Sequence, residues 1–118
     1  MTTKPRSPKP TDFTVDVPDV GRFTFGKRTM ADELAIQREY ADILQGIDRP
    51  TVWLDTMGGW LSALRVLTVS APDGWDLDEL DPLDEATYAK LSAVYEGLRN
   101  QERLFRGGAK PAGEATSA

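Results

Sequence analysis

The residues of this sequence that could do chemistry are concentrated in one acidic stretch, residues 72–84. It holds six carboxylates and no basic residue, interleaved with one tryptophan and three leucines. Closely spaced carboxylates can bind calcium or act as a general acid and base. The EF-hand spacing fails, however, because counting from Asp76 puts Asp81 at the glycine position and Thr87 at the final glutamate position. We interpret the stretch as an ordered loop whose apolar residues either pack on the core or dock with a basic partner.

Two of the commonest catalytic residue types, histidine and cysteine, are missing from the sequence. The chain contains no histidine, the commonest general base and metal ligand, and no cysteine, which excludes disulfides and thiolate chemistry. The pair Gly58-Gly59 raises the question of a phosphate-binding loop, but the Lys-Ser/Thr that completes the Walker pattern does not follow it. We therefore predict that the protein is not an enzyme and that it binds no metal and no cofactor.

The length and the charge narrow the class of protein further. At 118 residues the chain has room for one domain. Its net charge of −5 disfavours nucleic-acid binding, which requires a basic surface. Residues 1–10 are basic but lack the apolar core of a secretory signal, and no uncharged run approaches the roughly 20 residues of a membrane span. We expect a cytoplasmic protein that binds neither nucleic acid nor membranes.

Two alternating runs predict a β-hairpin near the N-terminus. In residues 12–17 the apolar side chains point to one side, and residues 22–27 repeat the alternation with Phe23 and Phe25. A turn rich in proline and glycine separates the runs. Because an isolated hairpin is only marginally stable, its aromatic face must cover another apolar surface. That surface is either the helix predicted at residues 51–71 or the sheet of a partner or second copy.

Three amphipathic segments predict helices. The first starts after the capping residue Thr29 and stops near Gly46. The second, residues 51–71, is the most apolar part of the chain and lies between two prolines. The third starts near Asp81 or Asp84. The apolar face predicted for the second helix comprises Trp53, Met57, Trp60, Leu61, Leu64 and Leu67, and its other face comprises Asp55, Gly58, Ser62 and Arg65.

Small residues leave two packing questions open. Gly58-Gly59 costs the central helix roughly 1 kcal/mol per glycine relative to alanine, which predicts either the close approach of another backbone or a bend. On the third helix, a strip of small residues is either plain surface, the favoured interpretation, or a contact for another helix. The members of that strip are Ala86, Ala89, Ala93 and Gly97.

The whole pattern predicts a mainly α fold with a small N-terminal β-hairpin (α+β), in which a three-helix domain lies between flexible tails. Residues 1–10 contain three prolines and nothing to bury, so we predict a disordered arm. Residues 11–106 form the single hairpin-plus-three-helix domain. The small and polar residues 107–118 are predicted to form a flexible tail.

The order of short motifs resembles one known family. The hairpin reads V-x-V-P-x-V-G-x-F-x-F over residues 15–25 and leads into R-T-M. An I-x-x-x-Y-A-x-I-L helix follows, and the central helix runs into L-T-V-x-A-P-x-G-W-D at residues 67–76. The pieces L-D-P-L-D and A-V-Y-E-x-L-R-x-x-E-x-x-F close the pattern. Over residues 11–106 the chain resembles the small tail assembly chaperones of long-tailed bacteriophages and prophages.

This resemblance implies a function without chemistry. Such chaperones are helical, acidic proteins of the host cytoplasm that are absent from the finished virion. They coat the long helical tape measure protein, keep it soluble and bring tail tube subunits to it. The implied partners are a tape measure protein and a tail tube protein, with self-association into a homo-oligomer as a further expectation. An apolar contact surface on a negatively charged protein suits such a client.

The predicted partner-binding surface combines the acidic stretch with the end of the third helix. It consists of Trp75, Leu77, Leu80, Leu104 and Phe105. The main alternative function is a small structural component of the virion, such as a tail terminator, a head–tail connector or a baseplate protein. Two weaker alternatives use the acids of residues 72–84: a small enzyme or metal-dependent regulator, and an inhibitor that mimics nucleic acid.

Overall fold

The computed structural model describes residues 6–108, which form a three-stranded antiparallel sheet and three helices. The elements are, in chain order, β1 Phe13–Val17, β2 Gly21–Phe25, α1 Met30–Leu44, α2 Val52–Leu67, β3 Thr68–Ser70, a 3-10 turn Leu77–Glu79 and α3 Glu85–Gly108. The predicted mainly α fold with an N-terminal hairpin is confirmed. The predictions for residues 1–5 and 109–118 lie outside the described residues.

The hairpin forms where the alternating sequence predicts it. The register pairs Phe13 with Phe25, Val15 with Phe23 and Val17 with Gly21. Apolar side chains of both strands therefore share one face of the sheet. Glycine is required at the turn because φ of Gly21 is +139° and a Cβ there would lie 2.5 Å from the ring of Pro72.

The central helix is shorter than predicted because the chain leaves it for a third strand. α2 ends at Leu67, and Thr68–Ser70 pairs antiparallel with β2, with Phe25 opposite Thr68. The Thr68 hydroxyl donates a hydrogen bond to the carbonyl oxygen of Leu64 at 2.6 Å, and β-branched residues at 68 and 69 favour a strand. The helix therefore ends before Ala71, the latest end that Pro72 allows, and this chain itself fills the free edge of β2.

The core lies between the hairpin and the helices of the same chain. Phe23 and Phe25 are fully buried, with their ring centroids 5.7 Å apart, and each such side chain contributes about 1.5–3 kcal/mol. The buried apolar residues are Val17, Phe23, Phe25, Ile36, Met57, Ala63, Leu64, Leu67, Leu91, Val94 and Leu98. Trp53 is 53% exposed, so the apolar face predicted for the central helix begins only at Met57.

The opposite face of α2 is also covered, by α1. Gly58 is buried, and a Cβ on it would lie 3.3 Å from the ring of Tyr40 and 3.6 Å from Ile43. The close approach predicted for the glycine pair is therefore made by an aromatic side chain and not by a backbone. Ser62 is buried on this helix as well, and its hydroxyl donates to the Gly59 carbonyl oxygen at 3.2 Å.

Two of the helices begin next to predicted capping residues. The Thr29 hydroxyl accepts from the backbone N–H of Asp32 at 3.2 Å, and the Asp32 carboxylate accepts from the backbone N–H of Thr29 at 2.9 Å. This reciprocal pair is a capping box. At α3, the Asp84 carboxylate accepts from the backbone N–H of Ala86 at 2.9 Å, which selects the later of the two predicted start positions.

The strip of small residues on α3 meets two different environments. Its alanines at positions 86, 89 and 93 are exposed, in agreement with plain surface. Gly97 faces β1, where a Cβ would lie 2.9 Å from Cγ1 of Val15. The close contact at this end of the strip is thus with the sheet and not with another helix.

The N-terminal arm has a defined contact at its sixth residue. The guanidinium of Arg6 donates to both carboxylate oxygens of Asp32, at 2.6 and 3.1 Å. It also lies against the backbone of Gly26, where a Cβ would come within 2.1 Å of Arg6 Nε. The arm predicted to be disordered over residues 1–10 is therefore attached to α1 at Arg6, while residues 7–10 are exposed.

Candidate partner-binding surface

The acidic loop holds three of its four large apolar side chains against the core. Trp75 meets the Phe23 ring at a right angle, with the ring centroids 5.3 Å apart. Leu77 and Leu80 are half-buried and pack on the same hydrophobic cluster. Of the two arrangements left open for this loop, Trp75, Leu77 and Leu80 have the one in which they cover the core, whereas Leu83 is 90% exposed. Their part in partner binding stays a prediction.

Several acids of this loop stabilise its backbone turns. Asp76, Asp81 and Asp84 each accept a hydrogen bond from the backbone N–H two residues later, at 3.1, 2.9 and 2.9 Å. Such Asx turns mimic a backbone turn and fix the course of the chain. The Tyr88 hydroxyl adds a bond of 2.6 Å to the carbonyl oxygen of Pro82. The repeated aspartates therefore have a local structural reason.

Another acid of the loop ties it to two helices. Arg65 on α2 donates to Asp78 at 2.7 Å and to Glu39 of α1 at 3.3 Å. Burial lowers the pKa of Arg65, but its hydrogen bonds and the attraction of both carboxylates raise that pKa above its ordinary value. Among residues 6–108, no three acidic side chains converge as a set of metal ligands.

The end of α3 presents the other two predicted binding residues to solvent. Leu104 is 60% exposed and Phe105 is 36% exposed. The Phe105 ring meets that of Phe13 edge to face, with centroids 4.9 Å apart, and the Lys27 ammonium lies 5.5 Å from the Phe105 centroid. These contacts give Phe105 a fixed position while leaving part of its ring free for a partner.

Beside Phe105 lies an open groove of about 550 Å³. We call it the basic groove, and its lining residues are Lys27, Arg28, Glu33, Arg99, Glu102, Arg103, Phe105 and Arg106. Five of these are cationic and two are anionic, so the lining carries a net charge of 5 − 2 = +3. The whole chain carries −5, and the groove therefore has the opposite sign to the molecule.

An ion-pair network fixes one wall of the basic groove. Arg28, in the connection between β2 and α1, donates to Glu33 at 2.8 Å and to both carboxylate oxygens of Glu102 at 3.0 Å. Arg99 donates to Glu102 at 2.6 Å. Burial lowers the pKa of Arg28, but its bonds to the carboxylates raise it, and the bond from Arg28 lowers the pKa of Glu33. The network joins α1 to α3.

A smaller hollow of about 260 Å³ lies next to the basic groove and is lined partly by α2. The two share Arg28, Glu33 and Arg99. The surface contributed by α2 consists of small residues, Gly59, Ser62 and Ala63. Gly59 has open space where a Cβ would point, so the hollow has room above its backbone.

Sequence reasoning missed part of the exposed apolar surface. The sequence predicts Trp53 on the apolar face of the central helix, yet it lies in the first turn of α2 and is 53% exposed. Arg99, Arg103 and Arg106 repeat at helical spacing and so share a face of α3, a signal that the sequence does contain. The large exposed apolar residues outside the predicted site are Met30, Leu34, Ile47, Val52, Trp53 and Leu83.

Comparisons with protein-family models, with curated proteins and with solved structures found no match to this chain. The argument for function therefore depends on the residues and surfaces described above. Among residues 6–108, no helix combines the length and the apolar character that crossing a bilayer requires.

Proposed function

We propose that the protein is a tail assembly chaperone of a long-tailed bacteriophage or prophage. In this proposal it works in the host cytoplasm, binds the tape measure protein, keeps that client soluble and helps recruit tail tube subunits. It acts by binding alone and has no catalytic step. The observation that carries the proposal is the exposed apolar end of α3, where Leu104 and Phe105 lie beside the basic groove.

The chemistry of this surface suits a long helical client. Exposed leucine and phenylalanine side chains can cover the apolar stripe of an amphipathic helix. Phe105 is held against Phe13, so little side-chain freedom is lost when a partner binds. A tape measure protein offers many similar stripes along its length, and repeated weak contacts on one client gain strength from multivalency.

Co-expression with a tape measure fragment tests this proposal. We expect the wild-type chain to move an otherwise insoluble fragment into the soluble fraction. The double variant Leu104→Ala/Phe105→Ala should lose most of this effect, because it removes the exposed apolar contact. Leu83→Ala is the matched control, since Leu83 is 90% exposed but lies in the acidic loop.

Thermal unfolding of the purified variants must accompany the solubility measurement. Leu104→Ala alone changes a more exposed position and leaves the packing of Phe105 on Phe13 in place. A loss of rescue by this single variant is therefore a loss of binding and not of packing. Equal rescue by the wild type and by both α3 variants would contradict the proposal. So would recovery of this chain from purified virions at the copy number of a structural protein, which would favour a tail or connector component.

A further inference from the structure

The basic groove has more positive charge than its own carboxylates neutralise. Arg28 and Arg99 are paired with Glu33 and Glu102. The remaining cations of the groove, Lys27, Arg103 and Arg106, form no ion pair with any side chain in the described part of the protein. Three unpaired cations thus surround a single groove on a molecule whose net charge is −5.

From this arrangement we propose that the basic groove binds an acidic, amphipathic helix of a partner protein. Its carboxylates would pair with Lys27, Arg103 and Arg106, and its apolar side chains would contact Phe105 and enter the smaller hollow next to α2. The inference goes beyond the proposed function and does not require that the partner be a tape measure protein.

Favourable interaction with the negative end of α3 does not account for all the cations that line the basic groove. Cations in the last turn of a helix interact favourably with its negative end, which is a sufficient reason for Arg106. Lys27 and Arg28, however, come from the connection between β2 and α1, and they face the same groove as the α3 arginines. Two separate elements therefore supply the charge, which a helix-end effect would not require.

The groove fits a protein helix better than a nucleic acid. Nucleic-acid binding draws its affinity from neutralising many phosphates, whereas only three cations of this groove remain after Arg28 and Arg99 pair with its carboxylates. Guanidinium groups match carboxylates in a planar, two-pronged geometry. The apolar ring of Phe105 and the small-residue surface at Gly59 offer contacts for leucine or alanine side chains of a helix laid into the groove.

Fluorescence anisotropy with a designed probe tests the inference. The probe is a fluorescein-labelled helical peptide of alanine and leucine that carries glutamates along one face. The comparison peptide has glutamine in place of each glutamate. We expect the wild-type protein to bind the glutamate peptide at least about tenfold more tightly than the glutamine peptide, with an affinity that falls as salt is added.

Two triple variants with the same change in net charge locate the binding site. Lys27→Gln/Arg103→Gln/Arg106→Gln should bind the glutamate peptide about tenfold more weakly than the wild type. The matched control replaces three exposed cations outside the groove with glutamine and should bind within about twofold of the wild type. The control positions are Arg38, Arg49 and Lys90.

Three outcomes would overturn the inference. Equal weakening by both triple variants would mean that only the overall charge matters. Equal binding of the two peptides would exclude recognition of carboxylates. Tighter binding of single-stranded oligothymidine than of the glutamate peptide would assign the groove to nucleic acid. If circular dichroism shows that the groove variant is less helical, Arg106→Gln alone, at the exposed end of α3, replaces it in the same comparison.

Discussion

At the scale of single residues, three arginines hold together parts of the chain that are distant in sequence. Arg6 joins the N-terminal arm to α1, Arg28 joins α1 to α3, and Arg65 joins the acidic loop to both α1 and α2. Because a guanidinium group has five donors in a planar fork, one side chain can satisfy two carboxylates or both oxygens of one. Contacts of this kind connect surfaces that the small hydrophobic core does not reach.

The Arg6–Asp32 pair is the one in which both side chains are most buried, with 13% and 11% of their surfaces exposed. We expect Arg6→Ala to lower the free energy of unfolding by about 1–3 kcal/mol, since it leaves a partly buried carboxylate with fewer donors. Urea unfolding at neutral pH measures this loss. Arg22→Ala is the matched control: its pair with Asp16 has a similar distance, 2.8 Å, but both side chains are exposed to solvent, so the loss should be much smaller.

The stabilisation by Arg6 should also depend on pH. Burial raises the pKa of Asp32, but hydrogen bonds from Arg6 and Thr29 outweigh it and hold that pKa below its ordinary value of 3.8. Well above 3.8 the carboxylate is ionised in the folded and unfolded chains alike, so the stabilisation is complete. As the pH falls toward the lower folded pKa, the unfolded chain binds the proton first and the stabilisation is lost. If the stability difference between wild type and Arg6→Ala stayed constant as the pH fell through 3.8, the ion pair with Asp32 would not be the source of the stabilisation.

At the scale of elements, α2 has a different neighbour on each side, and its two central glycines differ accordingly. Alanine in place of Gly59 meets no atom within 4 Å, so Gly59→Ala should stabilise the protein by up to about 1 kcal/mol through helix propensity. Alanine in place of Gly58 would press on the Tyr40 ring at 3.3 Å, and that ring is held by a hydrogen bond from its hydroxyl to Asp55. Gly58→Ala should therefore raise the free energy of unfolding by less than Gly59→Ala does, or lower it.

Thermal unfolding of the two alanine variants measures this difference directly. The variants have the same chemistry at neighbouring positions, so each controls for the other. Equal stabilisation by both would show that α1 does not pack closely on α2 at Gly58.

The acidic loop should behave as part of the core. Trp75→Ala removes the contact with Phe23, and we expect a loss of about 2–3 kcal/mol in the free energy of unfolding, with a weaker aromatic signal in the near-ultraviolet circular dichroism. Leu83→Ala, in the same loop but 90% exposed, should stay within about 0.5 kcal/mol of the wild type. A Trp75→Ala variant that kept full stability while losing partner binding would instead make this loop a docking surface.

Several elements could be predicted from sequence because their signals are local. The alternation in the hairpin, the capping threonine at position 29 and the aspartate before α3 each act within a few residues. β3 was missed because it has three residues and follows a helix without a break. The Arg6–Asp32 pair spans 26 residues, and the basic groove unites Lys27 with arginines beyond residue 98. Contacts between residues so far apart in sequence produce no local sequence pattern, so they could not be predicted.

At the scale of the whole molecule, the sign of the charge differs between the whole chain and one end of it. The chain carries a net charge of −5, which keeps a protein soluble, while positive charge and exposed apolar side chains meet near the end of α3. This arrangement suits the proposed role of holding an aggregation-prone client in solution.

The most direct test of the proposed chaperone function uses purified components. A denatured tape measure fragment is diluted into buffer with and without this protein, and static light scattering follows its aggregation. We expect the wild-type chain to suppress aggregation and to form a soluble complex with several copies per client, and Leu104→Ala/Phe105→Ala to do neither. Aggregation that proceeds equally with and without the wild-type chain would contradict it.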